Sequence, residues 1–96
     1  MKIVYRVVRV KNFEKSLQRL ERSGKVDRDA IEDAIDLLAT GNPLPPHLKD
    51  HALRGEYAGC RECHIRGDLL LVYARRDKAL ILILLNIGSH HELFGL

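Results

Sequence analysis

A chain of 96 residues with 46% hydrophobic residues has the size of one compact domain and is too apolar for a disordered segment. Its formal charge of +3, with ten arginines against six lysines, is too small by itself to define a nucleic-acid binder. It does lean toward a polyanionic ligand, because the planar guanidinium fork matches phosphate oxygens. The longest apolar run, Ala79–Leu85, is too short to cross a bilayer, and no signal peptide is apparent after Met1-Lys2. A single cytoplasmic domain spanning 1–96, with both cysteines reduced, is therefore expected.

Ile3–Val10 is rich in Val and Ile and reads as a first strand. Asn12 suits a helix N-cap, Glu14 the first turn, and Phe13, Leu17 and Leu20 form one apolar stripe toward Ser23-Gly24. A second helix is expected from about Asp29, with Ile31, Ile35 and Leu38 as its stripe and Gly41 and Pro43 as its stop. Gly24–Arg28 joins the two helices. All three prolines fall in Gly41–Lys49, a rigid loop. Tyr57–Ile65, Asp68–Tyr73 and Ala79–Ile87 then read as three strands, the last covered on both faces. A strand, two helices and a strand meander make an α+β sandwich.

Four of the five histidines stand where a folded domain has no structural need for them. His51 ends the proline loop, His64 lies near a hairpin turn, and His90-His91 follow the last strand. Asp68 begins the strand after that turn. Side chains at strand ends are well placed to meet a ligand, and imidazole exchanges protons near neutral pH. If Ile65-Arg66-Gly67 is a three-residue loop with glycine last, His64 and Asp68 lie opposite one another on one sheet face, and this pairing is expected.

Cys60-Arg61-Glu62-Cys63-His64 matches the pattern of covalent haem attachment, but that chemistry occurs outside the cytoplasm, and Met1 is the sole methionine. A zinc site from Cys60, Cys63, His51 and a C-terminal histidine is chemically allowed. However, Cys60 and Cys63 point to opposite faces of a regular strand, so two buried structural cysteines and no metal are expected.

Lys49-Asp50-His51-Ala52-Leu53-Arg54-Gly55, Gly59–His64, Asp68 leading into Leu71-Val72-Tyr73, and Gly88–Gly95 together resemble the YafQ branch of RelE-family toxins. The likeness covers about residue 43 to the C-terminus; the first forty residues match only as strand, helix, helix. It implies a RelE-like fold, two antiparallel helices packed on a mostly antiparallel sheet of four to five strands. It also implies the toxic half of a type II toxin–antitoxin pair, a ribosome-dependent messenger-RNA endoribonuclease acting in the decoding (A) site. The family reaction needs no metal or other cofactor. The 2′-hydroxyl attacks its own phosphodiester, which requires a base, an acid and positive charge at the phosphate.

By that resemblance His90 is the general acid, and His51, His64 and Asp68 together provide the base and hold the phosphate. Arg61 would neutralise the phosphate and Phe94 would stack on a base. The partners implied are a cognate antitoxin and messenger RNA on the ribosome, with no membrane. Leu69 and Cys60 depart from the family by replacing aromatic residues, and His91 adjoins His90. The competing class is a non-catalytic binder on the same fold, either a gyrase inhibitor resembling ParE or a degenerate toxin acting only through its antitoxin. The histidine-rich C-terminus speaks against the gyrase inhibitor, which has no need for it, and a degenerate toxin would bind its antitoxin without arresting growth.

Overall fold

The computed structural model describes residues 2–24 and 26–95, so Met1, Leu96 and Lys25 of the inter-helix connection lie outside the description. The first strand, β1 (Arg6–Arg9), is shorter than the apolar stretch that suggested it. The N–H groups of Val4 and Tyr5 both donate to the Ala39 carbonyl, which takes them out of any strand ladder. Helix α1 (Lys11–Ser23) begins after Val10 rather than at Asn12, and it buries Phe13 and Leu17 from the expected stripe. Helix α2 (Arg28–Thr40) is capped by Asp27, two residues before the expected start, whose side chain accepts from the Ala30 N–H at 3.1 Å. It ends at Gly41, whose φ of +76° favours glycine and where a Cβ would sit 2.7 Å from the Tyr5 ring.

Past the prolines come a 3₁₀ turn at Pro46–Leu48, β2 (His51–Ala52), a second 3₁₀ turn at Gly55–Tyr57, then β3 (Arg61–Arg66), β4 (Leu69–Arg76), β5 (Ile81–Gly88) and α3 (His90–Phe94). The sheet order is β1-β5-β4-β3-β2, with β1 parallel to β5 and the other pairs antiparallel. The α+β architecture is therefore as expected, with the sheet at five strands. Tyr57 belongs to a turn, not to a strand, and neither the two-residue β2 nor the short α3 was anticipated.

Strand partners share a sheet face. Arg61 opposes Tyr73 and Cys63 opposes Leu71, and Cys63, Leu71 and Tyr73 join Phe13, Leu17, Ile31, Ile35 and Leu38 in the core beneath the helices. Glu62 opposes Val72, His64 opposes Leu70 and His51 opposes Glu62, so these side chains occupy the other face. The helices thus cover one side of the sheet and leave the other to the polar cluster.

Candidate active site

The short strand that presents His51 is held in place from below. Asp50 accepts from Arg61 at 2.8 Å and from the Tyr73 hydroxyl, a half-buried network that ties the end of the proline loop to β3 and β4. Burial alone would raise the Asp50 carboxyl, but the hydrogen bonds from Arg61 and Tyr73 outweigh it and hold the group below the usual carboxylate range. Arg61 is thereby committed to Asp50 on the helix-side register. The structure pairs it with Asp50 rather than with the histidines beside which it was expected.

Lys49 closes the preceding 3₁₀ turn at φ +48°, a left-handed conformation that a lysine occupies only at a cost of about 1–2 kcal/mol. That twist aims the Lys49 carbonyl at His51, whose Nδ1 lies 2.7 Å away. A carbonyl only accepts, so Nδ1 carries a proton, and Nε2 is the nitrogen left for acid–base work. That Nε2 sits 3.6 Å from Oε1 of Glu62, and Nε2 of His64 sits 3.5 Å from the same oxygen. The Glu62 side chain is only 3% exposed. Burial pushes the His64 imidazole below its ordinary value, against the opposing pull of Glu62, which leaves it neutral at pH 7.

The expected His64/Asp68 pair does not form. The register shifts between His64 and Arg66, leaving Ile65 as an extra residue, and the turn becomes Gly67-Asp68, with Arg66 opposite Leu69. Gly67 holds φ +55°, the conformation of two-residue hairpins that place glycine first. Asp68 therefore sits at the hairpin tip and pairs with His90 instead, Nδ1 of His90 donating to Oδ1 at 2.6 Å and the His90 backbone N–H at 3.3 Å. The His90 hydrogen bonds hold the Asp68 carboxyl below the usual range.

His90 is set by its own helix. Ser89 accepts from the Glu92 N–H and Glu92 accepts from the Ser89 N–H, a reciprocal capping box, and Gly95 ends the turn at φ +72°. His90, rather than His91, meets Asp68 and lies 5.9 Å from His64 between ring centres, while His64 is 6.2 Å from His51. The result is a row, His51–His64–His90, in which Glu62 faces both His51 and His64 and Asp68 holds the His90 end. Phe94 lies 6.4 Å beyond His90 and packs edge-on against Tyr57 at 5.3 Å. An open depression of about 490 Å³ runs beside the row, lined by His47, Lys49, His64, Ile65, Arg66 and Gly67.

Three contributors to this surface were missed from sequence: Glu62, Lys49 and Tyr57. Of the two cysteines expected to be buried, only Cys63 is. Cys63 is buried on the helix side, where burial pushes its thiol up to about 12, and Cys60 is half-buried ahead of β3.

Two helices on one face of a five-stranded sheet, with imidazoles and carboxylates assembled on the other, define a RelE-like toxin domain. A family model described as the bacterial toxin of type II toxin–antitoxin systems, YafQ, matches residues 5–95, and the chain belongs to that family. The mRNA interferase toxin YafQ of Escherichia coli K12 is 42% identical over 78 residues, covering 80% of this chain and 83% of that protein. A metal-bound toxin from Helicobacter pylori superposes with a TM-score of 0.85 at 39% identity, over 94% of this chain and 99% of that one. The E. coli DinJ-YafQ toxin–antitoxin complex matches with a TM-score of 0.85 at 29% identity, over 97% of this chain and 100% of that one. No helix among the described residues is long and apolar enough to cross a membrane.

Proposed function

We propose that this toxin cuts messenger RNA in the decoding site of a translating ribosome by acid–base catalysis along the histidine row. It is an endoribonuclease, as its relatives named mRNA interferase are. The observation that carries the mechanism is the histidine row itself, with Glu62 facing His51 and His64 and Asp68 bonded to His90.

His51 is the base. Its Nδ1–H is engaged by the Lys49 carbonyl, its Nε2 lone pair is available on a half-exposed side chain, and Glu62 stabilises the imidazolium that forms. His51 Nε2 takes the proton of the 2′-hydroxyl while that oxygen attacks phosphorus. His90 is the acid. Asp68 fixes its Nδ1–H and stabilises its charged form, so Nε2 delivers a proton to the departing 5′-oxygen. The products are a 2′,3′-cyclic phosphate and a free 5′-hydroxyl. Neutral His64, midway, and Lys49, at the rim, face the phosphate and its developing charge, a part that Arg61 does not play. Phe94, backed by Tyr57, offers an aromatic face for an unstacked base. With a base and an acid both supplied by side chains, the reaction requires no metal.

The partner class follows from the family and from the basic composition: an antitoxin bearing acidic side chains, binding over the same face in the cytoplasm. DinJ plays the antitoxin part in the E. coli complex. Inducing the wild type and His90→Ala in cells, then mapping ends in ribosome-bound message, tests the whole reading. The wild type should arrest growth and produce clustered in-frame cuts; His90→Ala should do neither. Equal cutting by the variant would remove His90 from the mechanism.

A further inference from the structure

We propose that Tyr73, Asp50 and Arg61 act as positioning residues, a clamp on the helix side of the sheet that sets the place and ring orientation of His51 on the other side. The structural half stands on geometry alone; the kinetic half rests on the reading of His51 as the base.

Strand β2 needs an anchor. It has two residues, it lies at the edge of the sheet, and its ladder to β3 consists of His51 opposite Glu62 and Ala52 opposite Arg61. So short a pairing holds a strand only weakly by itself. Just ahead of it, Lys49 keeps a left-handed φ of +48°, which a non-glycine residue retains only where its surroundings over-determine it.

Asp50 supplies the constraint. Successive residues of an extended chain point to opposite faces, so the side chain before His51 reaches to the helix side. Both of its carboxylate oxygens are engaged there, Oδ2 by Nη2 of Arg61 at 2.8 Å and Oδ1 by the Tyr73 hydroxyl. Arg61 stands on β3 and Tyr73 opposite it on β4, so these contacts lash the edge strand to its two neighbours. Tyr73 is fully buried, and a phenylalanine ring would fill the same core space, so its hydroxyl answers to the clamp and not to packing. Burial and the bond to Asp50 push the phenol above its ordinary value, which keeps the hydroxyl a donor. With Asp50 fixed, the Lys49 carbonyl is fixed on one side of it and the His51 ring on the other, Nδ1 lying 2.7 Å from that oxygen. Nε2 is thereby turned toward Glu62, at 3.6 Å, and into the row.

The test uses the full chain with two substitutions, Tyr73→Phe, which keeps the ring, and Asp50→Ala. Nitrogen-15 spectra of the imidazoles are recorded at about pH 8, above the ordinary histidine pKa of about 6.5. The His51 signals are assigned by their loss in His51→Gln. The wild type should carry the His51 proton on Nδ1, and both variants should show a mixture of the two tautomers with His90 unchanged. Cleavage of a programmed message should fall about 10-fold in Tyr73→Phe and about 100-fold in Asp50→Ala, in kcat and not in KM, as misplacement of a catalytic group does. Tyr73→Phe should add almost nothing to His51→Ala and should show its full effect on top of His90→Ala. If circular dichroism shows Asp50→Ala unfolded, Tyr73→Phe carries the test alone. An unchanged His51 tautomer overturns the clamp, and so does an equal further loss in both histidine backgrounds, the mark of general loosening. A shifted tautomer with undiminished cleavage upholds the clamp and removes His51 as the base.

Discussion

His90→Ala is expected to slow cleavage of a programmed message by about 10²–10⁴-fold, the usual contribution of a positioned general acid. The defect should then disappear on one particular substrate. When sulfur replaces the bridging 5′-oxygen, the leaving group is a thiolate, whose conjugate acid has a pKa near 8.5 and which departs without a proton. An enzyme lacking only its acid no longer needs one, so His90→Ala should cut the sulfur-bridged RNA at close to the wild-type rate. His51→Ala should be equally slow on ordinary RNA and should not recover, because the 2′-hydroxyl still has to lose its proton. The two ends of the row are thus distinguishable by chemistry, not only by position. Recovery of His51→Ala with no recovery of His90→Ala would exchange their roles.

The second large effect falls on stability. Phe13 is fully buried between α1 and the sheet, with the Arg9 guanidinium 5.2 Å above its ring. Phe13→Ala is expected to cost about 3–5 kcal/mol, from lost transfer energy and from a cavity that a close-packed core only partly refills. Against a total of about 5–15 kcal/mol for a domain, that is enough to leave a substantial population unfolded. Urea denaturation should show the midpoint falling sharply with an unchanged slope. A shift worth less than about 1 kcal/mol would mean that α1 is not anchored by this residue. The site would suffer only indirectly, since Phe13 lies on the helix side and the histidine row on the other.

Both helices were legible because burial of one face imposes a 3.6-residue period, and Ile31, Ile35 and Leu38 carry it plainly. The histidines were legible for the opposite reason: polar, titratable groups at strand ends fit no packing rule. Glu62 escaped because a charged residue next to Cys63 on an alternating strand reads as solvent-facing. Its ladder partner is His51 of β2, a two-residue strand too short to have any period. The partner of Asp68 escaped because one extra residue, Ile65, moves the hairpin tip, and a bulge leaves little trace in sequence. Helix α3 did leave a trace, Ser89 and Glu92 at capping-box spacing with Gly95 after them, but five residues are too few to display an apolar stripe. Arg61 shows the limit of counting: it stands three residues from His64, and on a strand an odd separation means opposite faces.

The most direct measurement concerns the atom that attacks. Ribosomes carrying a message with a single 2′-deoxy nucleotide immediately before the cut site, in chelator, should resist the toxin completely at that bond. The matched all-ribose message should yield a cyclic phosphate and a 5′-hydroxyl. Cleavage of the deoxy-substituted bond at an undiminished rate would mean that water or another nucleophile attacks, and that the histidine row does not serve the 2′-hydroxyl.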